Sequence, residues 1–286
     1  MTRSPLPVEG EAVVRDRPVG PDGEVRTAPI IVLTYPHAGA EQVSSLLARH
    51  HELACTAGTG ILPLCEQAAA AWGTVDGRPE GPPSRLAQTS ARALAASLIT
   101  ALLVRQGKRR WCEVATAGPD AAGAFVRLFP GTRIVCLHRA CPDVVQAAVQ
   151  ASPWGLAGTE YTRFVSTYPA SAAAALTAHW AARTTSLLAF EQAHPGTCHR
   201  VRYEDLGGDF LAGLWQFLGL ADPGSEMAAW LHDDTAIPAH RRTGPVSGFP
   251  AGQLPSPLLE RANGLMESLG YRPLGPVIGP ASEFVS

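Results

Sequence analysis

The residues after the first apolar run could form an anion-binding turn. The run "IIVL" begins at Ile30, and "TYPHAGAEQV" follows it, with Pro36, His37, Gly39 and Glu41 in the turn or just after it. Glycine in a strand-to-helix turn lets several free backbone N–H groups face one point, and the helix dipole adds roughly half a positive charge there. The turn therefore predicts a site for a phosphate or a sulfate.

The side chains of this turn argue against an anion. An unperturbed histidine has a pKa near 6.5, so His37 is mostly neutral at pH 7, and Ala38 and Ala40 offer no hydroxyl. A carboxylate at Glu41 within about 4 Å of an anion repels it by about 4 kcal/mol at an effective dielectric near 20. The same carboxylate pointing to solvent stabilises the helix by about 0.3–1 kcal/mol. The sequence leaves both orientations of Glu41 open.

Three further groups could take part in chemistry. Glu113 lies in "RWCEVATAG", and a carboxylate in a dry pocket has the raised pKa that a general base needs. Arg139 follows the apolar run "RIVCLH", and arginine can hold a phosphate with two hydrogen bonds. Arg241 and Arg242 lie in the late loop "HRRTGPVSG". The structural alternatives are a surface or structural glutamate at a strand end, an arginine paired with a carboxylate and a solvated arginine pair.

Strand-like and helical segments alternate along the chain. The segments "APIIVLTYP", "RRWCEVATAG", "TRIVCLHR" and "CHRVRYEDL" are typical of strands, and long helical patterns cover residues 85–104 and 170–192. This alternation predicts an α/β fold with a parallel β-sheet flanked by helices. We expect one domain over residues 28–286, preceded by a disordered tail over residues 1–27, which is rich in proline, glycine and charge.

Composition excludes several classes of protein. Of the 286 residues, 46% are hydrophobic and 17% charged, which argues against disorder, and the net charge of −2 gives no basic field for nucleic acid. The six cysteines form no C-x-x-C pair and have no metal-ligand spacing. The N-terminus has no secretory h-region, and no uninterrupted apolar stretch of about 18 residues predicts a membrane span. A reduced, cytoplasmic protein without metal or membrane partner is expected.

Several segments in fixed order resemble a known family. After "TYPHAGAEQV" come "RWCEVATAG", "LFPGTRIVCLHRACPDVV" and "VRYEDL", and then a helix ending in "FLGL". This series resembles the bacterial sulfotransferases that use 3′-phosphoadenosine 5′-phosphosulfate (PAPS), over about residues 28–275. The resemblance implies the sulfotransferase fold, which is similar to that of P-loop-containing nucleotide hydrolases. The strict pattern G-x-x-x-x-G-K-[ST] is absent, so a nucleotide triphosphatase is not expected.

The resemblance also implies roles for particular residues. The family's first loop reads P-[KR]-S-G-[ST]-[ST] and holds the 5′-phosphosulfate, and this chain diverges there. The matching residues are Pro36, His37, Ala38, Gly39, Ala40 and Glu41. Arg139 matches the arginine that binds the 3′-phosphate, while Ala147 replaces its serine partner. Arg241 and Arg242 fall in the loop that covers this phosphate. Glu113 matches the acidic residue that serves as base in "W-x-E-K-T-P".

Three functions are compatible with this pattern. The first is transfer of a sulfuryl group from PAPS to a hydroxyl of a small molecule, with Glu113 as base and His37 assisting. The second keeps the pocket but drops PAPS, so that His37, Glu41 and Glu113 perform acid–base chemistry such as cyclisation, elimination or isomerisation. The third is a non-catalytic binding protein. The sequence does not predict the acceptor or the oligomeric state.

Overall fold

A parallel sheet forms the centre of the computed structural model, which describes residues 25, 27–75, 77, 83–151, 159–224 and 249–275. Its strands are β1 (Ile30–Leu33), β2 (Leu53–Ala57), β3 (Arg110–Ala115), β4 (Arg133–His138) and β5 (Cys198–Arg202). Their order in the sheet is β2-β3-β1-β4-β5, and every neighbouring pair is parallel. The predicted α/β fold is therefore confirmed.

Helices connect the strands and cover both faces of the sheet. They are α1 (Ala40–Ala48), α2 (Ile61–Val75), α3 (Arg85–Gln106), α4 (Pro119–Leu128), α5 (Cys141–Ala151), α6 (Thr159–Thr167), α7 (Ala172–Ala193), α8 (Gly208–Leu218) and α9 (Ser256–Ser268). A short 3₁₀ turn, Tyr203–Asp205, follows β5. The sequence patterns did not predict β2, α2 or α6.

The central strand β1 is apolar because it is covered on both faces. Its four residues are at most 1% exposed. Ile31 and Leu33 pack into a core that includes residues of α3, α4 and α7, whereas Ile30 and Val32 pack with α1 and α8 on the opposite face. A continuous apolar run is the expected sequence of such a strand.

The connections of the sheet place a crevice beside β1. From β1 the chain passes to β2 and β3 on one side, and it then crosses to β4 on the other side. In open parallel sheets, ligands bind at such a switch point, outside the carboxyl ends of the strands. The turn after β1 and the first residues after β3 and β4 all lie at this edge.

One described helix has the length and apolar composition of a membrane span. It is α3, and 33% of its most apolar window is buried in the fold. A single helix of this kind is weak evidence, since core helices of soluble proteins share these properties. Apart from residues 25 and 27, the predicted tail lies outside the described residues, and the domain limits 28–286 stay a prediction.

Candidate functional site

The turn after β1 has a backbone that requires glycine at one position. Gly39 has a φ of +100°, a region that other residues rarely adopt, and it precedes the first residue of α1. A Cβ on Gly39 would lie 2.2 Å from Cε2 of Tyr203. The first-turn N–H groups of α1 have no partner within the helix, so those of Ala40 and Glu41 can face an anion. A glycine turn thus joins β1 to α1, at the position where the sequence predicts one.

Arg139 lies directly after β4 and contacts this turn. Its Nη1 donates to the carbonyl oxygen of His37 at 2.9 Å, and its guanidinium carbon lies 4.7 Å from the ring centroid of Tyr203. Its Nε is buried and has no hydrogen-bond partner among the described residues. The Arg139 carbonyl accepts hydrogen bonds from Tyr35 and Trp180, which fix the backbone at this point. An unsatisfied buried donor beside a turn of free amides favours an anionic ligand.

His37 is mainly neutral in this setting. Partial burial lowers its pKa, the Arg139 guanidinium lowers it further, and the carboxylate of Glu160 acts in the opposite direction. His37 also has a φ of +65°, which is uncommon for a residue other than glycine. It therefore supplies no permanent positive charge to the turn. Glu41, in the first turn of α1, is exposed to solvent.

Glu113 is buried within the sheet and is fully hydrogen-bonded. It is 1% exposed; its Oε1 accepts from the backbone N–H of Thr59 at 2.7 Å and from the Thr59 hydroxyl at 3.0 Å. Its Oε2 accepts from the Thr56 hydroxyl at 2.5 Å. Burial raises the pKa of Glu113, although these hydrogen bonds act to lower it. In this arrangement the carboxylate holds the connection from β2 to α2, and no described hydrogen bond joins it to His37.

Helix α7 brings to the site an arginine that the sequence patterns did not single out. Nη2 of Arg183 donates to the carbonyl oxygen of Thr116 at 2.6 Å and to that of Ala117 at 3.3 Å, both just after β3. The same nitrogen lies 3.5 Å from the carbonyl oxygen of Thr34, just after β1. Arg183 therefore lies at the carboxyl ends of two adjacent strands, beside the turn.

His179 occupies the preceding turn of α7. It is 4% exposed, and its ring packs against Tyr161 and Phe164 of α6, with centroid distances of 4.7 and 5.3 Å. Burial and the neighbouring Arg183 lower its pKa to about 4. The four-residue spacing of His179 and Arg183 puts both on one face of an alanine-rich helix. That spacing could have pointed to this wall of the site, although the sequence patterns above did not single it out.

The 3₁₀ turn within "VRYEDL" supports the same edge of the sheet. Tyr203 is 1% exposed and lies between Gly39 and Arg139. The carboxylate of Glu204 accepts from the backbone N–H of Ala140 at 3.0 Å and from the Tyr271 hydroxyl at 2.6 Å. These residues fix the ends of β4 and β5, so their role is architectural.

No described hydrogen bond joins the turn to three predicted site residues, Glu113, Arg241 and Arg242. Arg241 and Arg242 lie outside the described residues. Ala147, which matches the family's serine, is a half-buried residue of α5 and offers no hydroxyl for a phosphate. The structure thus brings together the turn and Arg139, and it adds Arg183 and His179 from α7.

The comparisons with known proteins decide the family. A family model described as "Sulfotransferase family" matches residues 29–223. The chain belongs to the sulfotransferase family. The resemblance inferred from the sequence is thereby confirmed, and this membership makes the chain a sulfotransferase-like enzyme. No curated protein matches the chain.

Two solved structures share the sulfotransferase fold. The sulfotransferase domain from the curacin biosynthetic pathway is 17% identical with a TM-score of 0.55, and the match covers 86% of this chain and 98% of that one. The sulfotransferase domain of the Synechococcus PCC 7002 olefin synthase is 16% identical with a TM-score of 0.51, over 86% of this chain and 95% of that one. At these identities the likeness concerns the fold alone.

Proposed function

We propose that the protein transfers a sulfuryl group from PAPS to a hydroxyl group of a small molecule. The observation that carries this proposal is the contact between Arg139 and the carbonyl oxygen of His37. It joins the amide-lined turn after β1 to a permanent cation after β4, at the switch point of the sheet. An anionic nucleotide is the ligand that suits this combination.

The residues present fit the 5′ end of PAPS better than its 3′ end. The free amides at the start of α1 and the helix dipole suit a 5′-phosphosulfate. The exposed carboxylate of Glu41 weakens that site less than a buried one would, because solvent screens exposed charges. For the 3′-phosphate, the orphaned Nε of Arg139 offers one donor, whereas Ala147 offers none. A second set of donors for that phosphate would have to come from elsewhere in the chain.

The proposed reaction is an in-line displacement at sulfur. PAPS, when bound, supplies an activated sulfuryl group. The acceptor oxygen forms a bond to sulfur while the bond from sulfur to the bridging 5′-phosphate oxygen breaks. The electron pair of the broken bond stays with the departing 3′-phosphoadenosine 5′-phosphate (PAP). The loop amides stabilise the charge that develops on the leaving phosphate.

A base of the chain must take the proton of the acceptor hydroxyl. His37 suits this role because its lowered pKa keeps it neutral and because it lies in the turn itself. Glu113 suits it less well, since both of its oxygens already accept hydrogen bonds and its side chain is 1% exposed. The proposal therefore assigns proton transfer to His37 and a supporting role to Glu113.

A second candidate is acid–base chemistry without PAPS. The observation in its favour is the neutral His37, which the turn presents in place of the lysine or arginine of the family. Cyclisation, elimination or isomerisation of a small metabolite would need such a proton acceptor but no sulfuryl donor. Binding of the nucleotide separates this candidate from sulfuryl transfer.

Titration calorimetry with PAP tests the proposal. The wild-type protein should bind PAP with a dissociation constant in the micromolar range, and Arg139→Gln should weaken binding by about 10- to 100-fold because a charged hydrogen bond is lost. Arg127→Gln, which removes an exposed arginine of α4, should change it little. Absence of binding up to about 1 mM would contradict PAPS use and leave the second candidate.

A further inference from the structure

Two arginines flank the turn after β1 from opposite sides. Arg139 reaches it from the β4 side and donates to the carbonyl oxygen of His37. Arg183 reaches it from the β3 side and donates to the carbonyl oxygens of Thr116 and Ala117. Since β3 and β4 are the two neighbours of β1, these guanidinium groups lie on either side of the end of β1, where the turn begins.

Arg183 keeps part of its guanidinium group available. All of its described hydrogen bonds use Nη2, so that within the described part of the chain Nε and Nη1 have no acceptor. The side chain is half-buried, in contrast to the fully buried neighbour Trp180. Nε1 of Trp180 donates to the carbonyl oxygen of Arg139 at 3.0 Å, which fixes α7 against the end of β4. Arg183 is thus held near the turn by an anchored helix, and two of its nitrogens have no acceptor among the described residues.

The proposed reaction needs a positively charged side chain that the turn itself does not contain. Sulfuryl transfer needs positive charge near the transferring group, because negative charge builds up there during the reaction. The turn itself has no lysine or arginine, and His37 is mainly neutral. Arginine stays protonated at any pH that the protein tolerates.

We propose that Arg183 binds the transferring sulfuryl group, so that α7 supplies the positive charge that the turn lacks. This inference rests on the proposed function. Arg139 lies on the opposite flank, where the nucleotide is held, so the β3 flank is left for the sulfuryl end and the acceptor. Nη1 and Nε of Arg183 donate hydrogen bonds to sulfuryl oxygens, and Nη2 keeps its bonds to the strand ends. Arg183 forms no covalent bond and transfers no proton.

The test compares two ligands that differ only in the sulfuryl group. Affinities for PAP and for PAPS are measured on the wild type, on Arg183→Gln and on Arg183→Lys, with Arg127→Gln as a control of equal charge change. Arg183→Gln should weaken PAPS binding by about 10- to 100-fold and PAP binding by less than about threefold. Arg183→Lys should retain much of the PAPS affinity, because it keeps the charge. A purely structural Arg183 would make both ligands weaken together.

The outcomes separate this inference from the proposed function. If the wild type binds neither ligand, the proposed function fails and the inference with it. If the wild type binds both ligands, and Arg183→Gln weakens both equally or neither, only the inference is overturned.

A measurement on the wild type covers the case in which Arg183→Gln does not fold. Phenylglyoxal labels accessible guanidinium groups, and mass spectrometry reports the labelling of Arg183. PAPS should protect Arg183 more strongly than PAP does at equal site occupancy. Equal protection by the two ligands would overturn the inference.

Discussion

Substitution of Gly39 by alanine should destabilise the protein for two separable reasons. The first is backbone strain, since Gly39 has a φ of +100°, and a left-handed conformation costs a residue with a Cβ about 1–2 kcal/mol. The second is steric, since the new Cβ would lie 2.2 Å from the buried ring of Tyr203. Overpacking of this kind costs about 1–3 kcal/mol. The sum predicts a loss of about 2–5 kcal/mol in the free energy of unfolding.

Denaturant unfolding with two matched controls separates these terms. Gly107 has a φ of +62° and no atom within 4 Å of an added Cβ, so Gly107→Ala should cost only the backbone term, about 1–2 kcal/mol. Gly213 lies within α8 and has neither constraint, so Gly213→Ala should be neutral or stabilise by up to about 1 kcal/mol. If Gly39→Ala costs no more than Gly107→Ala, the contact between the turn and Tyr203 is absent.

A double-mutant cycle isolates the steric term. In a Tyr203→Leu background the ring that would collide with the new Cβ is gone, so Gly39→Ala should cost about 1–3 kcal/mol less than in the wild type. Tyr203 also lies against the Arg139 guanidinium, so displacement of its ring should weaken PAP binding. Additive effects of the two substitutions on stability would refute the steric argument.

Three further predictions concern titratable groups. Glu113→Gln places an amide NH₂ group against the donors of Thr56 and Thr59, so it should lower the free energy of unfolding by about 1–3 kcal/mol. The control Glu66→Gln, at an exposed position, should lower it by less than about 0.5 kcal/mol. Equal losses in the two variants would contradict the buried hydrogen-bond network around Glu113. Burial lowers the pKa of His179 from 6.5 to about 4, so protonation of the ring disfavours the folded state, and about 3 kcal/mol of unfolding free energy is lost as the pH falls from about 6.5 to about 4. His179→Gln should therefore remove that part of the acid destabilisation, and an unchanged pH profile of unfolding would argue against a buried neutral ring. A bound anion favours the protonated form of His37 and should raise its pKa. The affinity for PAP should therefore fall more steeply with rising pH in the wild type than in His37→Ala. Identical dependences of affinity on pH in the two proteins would show that the anion binds away from His37.

The sheet and the turn could be predicted because burial on both faces and a positive φ each restrict which residue types fit, and these restrictions are visible in the sequence. The run from Ile30 to Leu33 is apolar at every position, as a strand covered on both faces must be. Gly39 is required by its positive φ, and the start of α1 follows from that turn. Short elements with mixed sequences, such as β2 with "LACTA", show no periodicity and were missed.

The remainder of the site depends on tertiary contacts that no local pattern contains. Arg139 was expected to bind a phosphate, but its hydrogen bond to the carbonyl of His37 follows from the parallel pairing of β1 and β4. Arg183 lies in an alanine-rich helix, and only the packing of α7 over the ends of β1 and β3 brings it to the turn. Glu113 was expected to act as a base in a dry pocket, whereas the hydroxyls of Thr56 and Thr59 enclose it and occupy its oxygens.

A crystal structure of the protein with PAP tests the central claim most directly. The 5′-phosphate should lie within about 3.5 Å of the backbone nitrogens of Ala40 and Glu41, with the Arg139 guanidinium on the nucleotide side and the Glu41 carboxylate in solvent. A nucleotide bound elsewhere, or the Glu41 side chain folded over those amides, would show that the turn no longer receives the donor.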